Sequence, residues 1–254
     1  MKIQVDVIIP NYNQTTLLSR AVESALIQGD AINKIIIIDD GSNQETIEYL
    51  SKYFSGQEKI KVIQSTRYSH PGIMRELGLR NSDSEWVAFL DADDFWEAKK
   101  IERQLKFAIE NNFDMVSSNG FIFRNSVKVK RIYEFESAPK ITTKSLFEEN
   151  IIINSSTLVR RDCFEKIGGY STDYHLRGVE DFSTWLKVSV HFRIGFLNEE
   201  LVNYEDLKDS FSKQQNPSLR NIALTDFLFW SKGRTSAFAR IYSKFYLCRV
   251  LGRA

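Results

Sequence analysis

Cysteine is nearly missing from this chain. Cys163 and Cys248 are the two among 254 residues, far apart and without metal-ligand spacing, so they read as buried or incidental thiols of a reducing compartment. His70, His175 and His191 are the three histidines, and they too lack the spacing of a zinc site. One-sided charge is absent: 34 basic residues against 33 acidic ones leave a formal net charge of +1. No global field therefore steers the chain to nucleic acid or to an acidic substrate, and any electrostatic binding has to be local. No apolar run approaches the roughly 20 residues that a bilayer-crossing helix needs. Met1-Lys2-Ile3-Gln4-Val5 enters a strand pattern at once, without signal-peptide architecture. The expectation is a cytoplasmic protein, soluble or peripheral. Two phosphate-binding loops are missing as well. There is no Gly-x-x-x-x-Gly-Lys-Ser/Thr, and no Gly-x-Gly-x-x-Gly after the first strand, which argues against P-loop and dinucleotide-binding enzymes. Phosphate, if bound, is held by metal and side chains rather than by a glycine nest.

What is present is alternation. Val5–Pro10 is a β-branched run, followed by a helical pattern over Thr15–Gln28 in which Leu17, Leu18, Ala21, Val22, Ala25 and Leu26 share one face. Thr15 or Thr16 is the expected N-cap. Ile35–Ile38 is an unbroken isoleucine run, and a strand apolar on both faces calls for a parallel sheet covered above and below. A helix over Gln44–Phe54, a strand over Ile60–Gln64, a helix over His70–Leu79, a strand over Trp86–Leu90 and a helix over Lys99–Asn112 follow. This order builds a doubly wound, Rossmann-like α/β sheet, in which ligands bind outside the carboxyl ends of the strands. Beyond Met115 the pattern becomes α+β with mixed strand directions. Strands are expected over Met115–Phe123, Val127–Phe135, Ser156–Val159, Arg193–Leu197 and Leu201–Tyr204, and helices over Ser145–Asn150, Asp162–Ile167 and Asp181–Val190.

Three of the four strand ends in the first half are polar or acidic: Asn11-Tyr12-Asn13, Asp39-Asp40 and Asp91-Ala92-Asp93-Asp94. The last is the sharpest. Charge at the edge of a sheet is costly unless a cation compensates it, and a hard divalent metal suits such oxygen ligands. Taken alone, the same run is equally a solvated strand exit whose acids cap the next helix. Three acids so close also shift one another's titration, so metal binding should weaken as the pH falls.

Val7-Ile8-Ile9-Pro10-Asn11-Tyr12-Asn13, Ile37-Ile38-Asp39-Asp40-Gly41-Ser42 and Phe89-Leu90-Asp91-Ala92-Asp93-Asp94 occur in that order. Gly168-Gly169-Tyr170 and Gly178-Val179-Glu180-Asp181-Phe182-Ser183-Thr184-Trp185-Leu186 follow. In order and spacing this set resembles the family 2 glycosyltransferases with the GT-A fold, over about Val5 to Tyr204. The resemblance implies inverting transfer of a sugar from a nucleoside diphosphate sugar, a UDP-sugar being favoured, to a saccharide acceptor, assisted by Mn²⁺ or Mg²⁺. It also implies places for residues. Tyr12 packs on the nucleobase, with Pro10 and Asn13 beside it. Asp40 accepts a hydrogen bond from base or ribose, and Asp39 shapes the turn. Arg75 reaches the nucleotide from the third helix, although Glu76 follows it where the family usually has Asn and is available to pair with it. Asp91 faces the ribose, Asp93 holds the metal bridging the phosphates with Asp91 as its neighbour ligand, Ala92 lies between them, and Asp94 turns toward the acceptor. A departing nucleoside diphosphate builds up negative charge that a divalent cation stabilises as a Lewis acid. An inverting displacement needs one carboxylate to take the acceptor hydroxyl's proton. Asp181 is the expected base and Glu180 its rival, since a helix start suits a charged acid. Trp185 and His175 are assigned to the acceptor site, against plainer readings as a packing residue and an exposed loop residue.

The resemblance divides the chain into a glycosyltransferase domain over residues 1–215 and a helical extension over 216–254. Within the domain, a nucleotide-binding half runs to about 119 and an acceptor half follows. Ala239–Ala254 mixes Arg240, Lys244, Arg249 and Arg253 with Ile241, Tyr242, Phe245 and Leu247. Such a helix either lies on an anionic membrane surface or packs on its own domain. The surface alternative makes a polyprenyl-diphosphate-linked saccharide the attractive acceptor, as in bacterial O-antigen or capsule assembly at the inner face of the cell membrane. Two rivals stand beside this reading. A sugar nucleotidyltransferase would bring a glycine-rich basic loop after the first strand, unlike Asn11-Tyr12-Asn13-Gln14. A non-catalytic saccharide- or nucleotide-binding protein would not need the full set of acids.

Overall fold

The computed structural model describes residues 3–206 and 217–232. The first half alternates as its hydrophobic pattern requires: β1 (Val5–Asn11), α1 (Thr16–Leu26), β2 (Ile32–Asp40), α2 (Gln44–Phe54), β3 (Ile60–Ser65), α3 (Pro71–Arg80) and β4 (Trp86–Phe89). β1 lies between β2 and β4, parallel to both, and β3 extends β2 outward in the same direction. Successive side chains of a strand point to opposite faces, so a strand apolar at every position needs a core on each side. Val5, Val7 and Ile9 join Trp86 and Ala88 in one core with Leu18 and Val22 of α1. Ile8, Val87 and Phe89 join the other.

The second half adds β5 (Phe95–Trp96), α4 (Lys100–Asn111), β6 (Met115–Arg124), β7 (Val127–Arg131), α5 (Thr143–Glu148), β8 (Leu158–Arg160), α6 (Arg161–Ile167), α7 (Glu180–His191), β9 (Ile194–Glu205) and α8 (Pro217–Ser231). β8 returns antiparallel between β4 and β6, β9 runs parallel to β6, and β5 is antiparallel to β9. The resulting mixed sheet has the order β3-β2-β1-β4-β8-β6-β9-β5, with β7 paired to β6.

The structure departs from the sequence pattern in several places, among them a shorter β7, which ends at Arg131 rather than Phe135. Arg193–Leu197 and Leu201–Tyr204, expected as separate strands, are one strand, β9. Its register against β6 slips at Ser118/Asn119 and Asn119/Gly120, so the polar Asn198-Glu199-Glu200 stretch is absorbed by bulges instead of a turn. β5 has two residues and exists only through its pairing with β9. Thr15 occupies the N-cap of α1 without a side-chain cap bond, whereas His70 caps α3 by accepting the Gly72 N–H at 3.0 Å.

α8 belongs to the core. Ala223, Leu224, Phe227 and Leu228 are buried with Phe147, Trp185 and Leu186, and Asp226 accepts from Ser183 Oγ at 2.6 Å and pairs with Lys187 Nζ at 2.8 Å on α7. Ala239–Ala254 lies outside the described residues. Among those described, no helix is long and apolar enough to cross a membrane.

α3 approaches β1 closely because Gly78 has no side chain. A Cβ there would stand 2.4 Å from Ile8 Cγ2, and Ile8 is a fully buried, β-branched residue of a central strand. Gly78→Ala gains about 1 kcal/mol of helix propensity but overpacks a site where such insertions cost about 1–3 kcal/mol. The expected outcome is a lower urea midpoint at unchanged slope; a raised midpoint would show that β1 yields without strain.

Candidate active site

The carboxyl ends of β1, β2 and β4 open into a cavity of about 960 Å³. Pro10, Asn11, Tyr12, Asp40 and the Asp91–Asp94 turn line it, together with Tyr133, Asn154, Glu180 and Asp181 and with Met74 and Arg75 of α3. The two halves of the chain thus meet at the edge where a doubly wound sheet binds ligands.

Arg75 is the electrostatic centre of this arrangement. Its buried guanidinium donates to Asp91 Oδ1 at 2.7 Å and to Glu180 Oε1 at 2.8 Å, 5.6 Å from the centroid of the Tyr170 ring. Glu76, the expected alternative partner, is not one. It pairs with Arg80 at 2.8 Å and accepts the Tyr170 N–H at 2.9 Å, because α3 turns Arg75 inward and Glu76 toward the loop after α6. Asn154 extends the network, donating to Asp91 Oδ1 at 3.1 Å and accepting from the Tyr170 hydroxyl at 3.0 Å. Glu180 is 4% exposed, and its second oxygen accepts the Gly178 N–H at 2.6 Å.

The three acids after β4 stand in different environments. Asp91 is neutralised by Arg75. Asp94 is 1% exposed; one oxygen accepts the Glu205 N–H at 2.9 Å and the other the Ser155 hydroxyl at 2.5 Å. Burial, then Asp93 and Asp91, push its carboxyl well above the usual range. The acceptor-facing place expected for Asp94 is therefore not where its carboxylate sits: both oxygens fasten the turn to its neighbours. Asp93 is pushed up to about 6 by burial and by Asp91, with Arg20 acting in the opposite sense. Arg20 donates to the Asp93 carbonyl at 2.6 Å, pairs with Glu205 at 2.7 Å and lies 4.3 Å over the Phe95 ring. Asp181 opens α7 and faces the cavity. Burial, followed by Glu180, lifts it to about 7 despite Arg75.

At the opposite end, Asp40 accepts the Tyr68 N–H at 2.5 Å, and Asp39 is bound to Asn11 and Ser42. Tyr12 is 41% exposed, with the Arg67 guanidinium 3.6 Å over its ring. Asn13, expected beside the nucleotide, does not line the cavity. It adopts φ +51°, donates its N–H to Ser42 Oγ and accepts the Asn43 N–H, each at 2.8 Å, so it ties the ends of β1 and β2 together.

Two further acceptor-site expectations are corrected. Trp185 is fully buried among Phe89, Tyr170 and Phe164, with ring centroids 5.8–6.4 Å away, because the apolar face of α7 turns into the core. His175 is exposed and lines a second cavity with Asn221, Ile222, Thr225, Asp226 and Phe229 of α8. Arg20, Asn154 and Ser155 escaped the sequence reading. A signal existed for two of them: Asn154-Ser155-Ser156 is a polar triplet inside the apolar stretch Ile151–Val159. Arg20 had none, since tertiary contact alone brings it to the turn.

A divalent cation fits this donor set on chemical grounds. The carboxylate of Asp93 and the second oxygen of Asp91 are hard oxygen donors, and the raised Asp93 pKa marks negative charge that the protein compensates incompletely.

Comparisons with known proteins agree with the fold. The profile of "Glycosyl transferase family 2" matches residues 6–168, and the chain belongs to that family. It is 28% identical over 222 residues to TuaG of Bacillus subtilis, named for teichuronic acid biosynthesis, covering 83% of this chain and 82% of TuaG. It is 26% identical over 194 residues to WfgD of Escherichia coli, a UDP-Glc:α-D-GlcNAc-diphosphoundecaprenol β-1,3-glucosyltransferase, covering 76% of this chain and 73% of WfgD. Relatives from Rickettsia are longer, and the chain spans 32% of their length. The crystal structure of S. aureus TarS 1-349 in complex with UDP-GlcNAc superposes with a TM-score of 0.69 at 17% identity, over 92% of this chain and 74% of that one. The fold is therefore GT-A.

Because folding raises the Asp93 pKa, the protonated form is favoured in the folded state. The carboxylate contributes least unfavourably below pH 4 and costs stability as the pH rises through about 6. In the presence of a chelator, Asp93→Asn should be more stable than the parent chain above pH 6, by about 1–2 kcal/mol. The gain should fade between pH 6 and pH 4. Urea titrations across that range check this, and a gain independent of pH would refute the electrostatic origin.

Proposed function

We propose that this chain is an inverting glycosyltransferase that moves a sugar from a nucleoside diphosphate sugar, a UDP-sugar in the first instance, to a saccharide acceptor. A polyprenyl-diphosphate-linked acceptor in bacterial surface-polysaccharide synthesis fits best, with the protein working at the cytoplasmic face of the membrane. The observation that carries the reading is one cavity lined by both the Asp91–Asp93 pair and Asp181. The names of WfgD and of the TarS complex support the donor class, and WfgD and TuaG support the acceptor setting.

Each residue then has a physical task. Tyr12 offers a ring face to the nucleobase, and Asp40, set by the Tyr68 N–H, offers an acceptor to base or ribose. Arg75 acts through the acids it holds, fixing Asp91 for the ribose. Mn²⁺ or Mg²⁺ held by Asp93 and Asp91 would supply Lewis-acid stabilisation of the departing diphosphate. Asp181 takes the proton of the acceptor hydroxyl as that oxygen attacks the anomeric carbon. Its rival Glu180 has one oxygen on Arg75 and the other on the Gly178 N–H, so both oxygens are already engaged. Asp181 has a lifted pKa of about 7, near the optimum for a general base at neutral pH.

Asp181→Asn should lower kcat by about 10²- to 10⁴-fold while leaving donor affinity within a few-fold of the parent chain. Retained transfer would remove Asp181 from the base position. In the parent chain, kcat/KM should rise with pH through about 7 and level off above it, since only the carboxylate accepts a proton. A panel of nucleotide sugars in a thermal-shift screen, with and without Mn²⁺, identifies the donor, because a ligand of the folded state raises its stability. Transfer to a diphosphate-linked N-acetylglucosamine acceptor completes the test.

A further inference from the structure

We propose that Asp173, His175 and Asp226 form a second divalent-metal site, suited to a borderline transition-metal ion such as Zn²⁺, that clips the loop before α7 to α8. One ligand atom from each residue lies within 4.8 Å of the other two. An imidazole with two carboxylates is a donor set for Zn²⁺ and its neighbours, less so for the hard cations that take oxygen alone. The set is unlike the acids after β4, which are all oxygen donors and lie in the other cavity.

Four further observations bear on it. The ligands come from two elements far apart in the chain: Asp173 precedes the turn Tyr174–Leu176 and His175 lies within it, and Asp226 sits mid-way along α8. Asp226 is held in place, with Oδ2 accepting from Ser183 Oγ at 2.6 Å and pairing with Lys187 Nζ at 2.8 Å. Partners of this kind orient a metal-binding carboxylate through one oxygen and leave the other for the ion. Among the described residues, no hydrogen bond or ion pair engages the Asp173 carboxylate or the His175 ring, so both are available without breaking a native contact. His175 and Asp226 also line a cavity of about 650 Å³, which leaves room for water to complete the coordination.

The position gives the site a consequence. The Asp173 carbonyl accepts from His70 Nε2 at 2.8 Å, while His70 Nδ1 caps α3, the helix that carries Arg75. Further along the same loop, Gly178 donates to Glu180. An ion at Asp173, His175 and Asp226 therefore orders the segment that leads into Glu180 and Asp181. That effect on transfer rests on the proposed function; the binding of the ion does not.

The test uses the metal alone. Metal-stripped protein carrying Asp93→Asn, which disables the cavity at β4, is titrated with Zn²⁺ by calorimetry and with Co²⁺ by visible absorption. One equivalent is expected at micromolar affinity, weakened at least tenfold by His175→Ala or by Asp173→Asn. Each variant is to match the background protein in circular dichroism and in chelator Tm, as surface substitutions should. Amides of residues 171–178 should exchange more slowly with Zn²⁺, and His175→Ala should abolish that protection. No Zn²⁺ binding in the Asp93→Asn background, or binding unchanged by both substitutions, overturns the proposal. Loss of sugar transfer without loss of Zn²⁺ binding would bear on the proposed function instead.

Discussion

The cavity depends on one guanidinium. A buried Arg costs several kcal/mol of desolvation unless its charge is paired, and Arg75 meets that demand through its two terminal nitrogens with acids from two different elements, its Nε–H having no partner among the described residues. Asp91 comes from the exit of β4 and Glu180 from the start of α7. The pairing locks the edge of the sheet to the helix that carries Asp181. Asn154 and Tyr170 extend the same network, so the turn after β4, the polar triplet before β8 and the loop after α6 converge on one cation.

That convergence also sorts the acids. Asp91 and Glu180 receive the cation, and Asp94 receives hydrogen bonds from Ser155 and the Glu205 backbone. Asp93 and Asp181 receive least and are lifted to about 6 and about 7. Burial is the largest contribution for both, followed by a neighbouring carboxylate. Perturbed carboxylates tend to gather where chemistry is done, and here both line one cavity. The fold tolerates unfavourable charge at the two positions where a metal and a proton would relieve it.

The parallel half of the sheet was legible in the sequence because strands such as Ile35–Ile38 are apolar at every position and allow no other arrangement than cover on both faces. The acidic strand ends were legible for the same reason: buried strands make their polar exits conspicuous. The second half was harder. β9 reads as two strands because its polar middle resembles a turn, and only the bulged pairing with β6 shows otherwise. Within the site, Asp91, Asp93, Arg75 and Asp181 could be named from their motifs, whereas Arg20 could not, since nothing local distinguishes it from any other helix-surface arginine. Trp185 and His175 mark the opposite failure. Proximity in sequence to Asp181 placed them at the acceptor, but one turn of helix sends Trp185 into the core, and the loop carries His175 around to α8.

The Arg75 network has a consequence for inheritance. Arg75, Asp91 and Glu180 are held by mutual charge compensation, so a lineage that abandoned catalysis would still be under pressure to keep all three, or to lose them together. Their presence in a distant homologue would thus report on foldedness more than on activity. Asp181, whose carboxylate among the described residues accepts one hydrogen bond, from the neighbouring Phe182 N–H, has no such protection. In a decaying copy of this chain it should be among the first of the acids to drift.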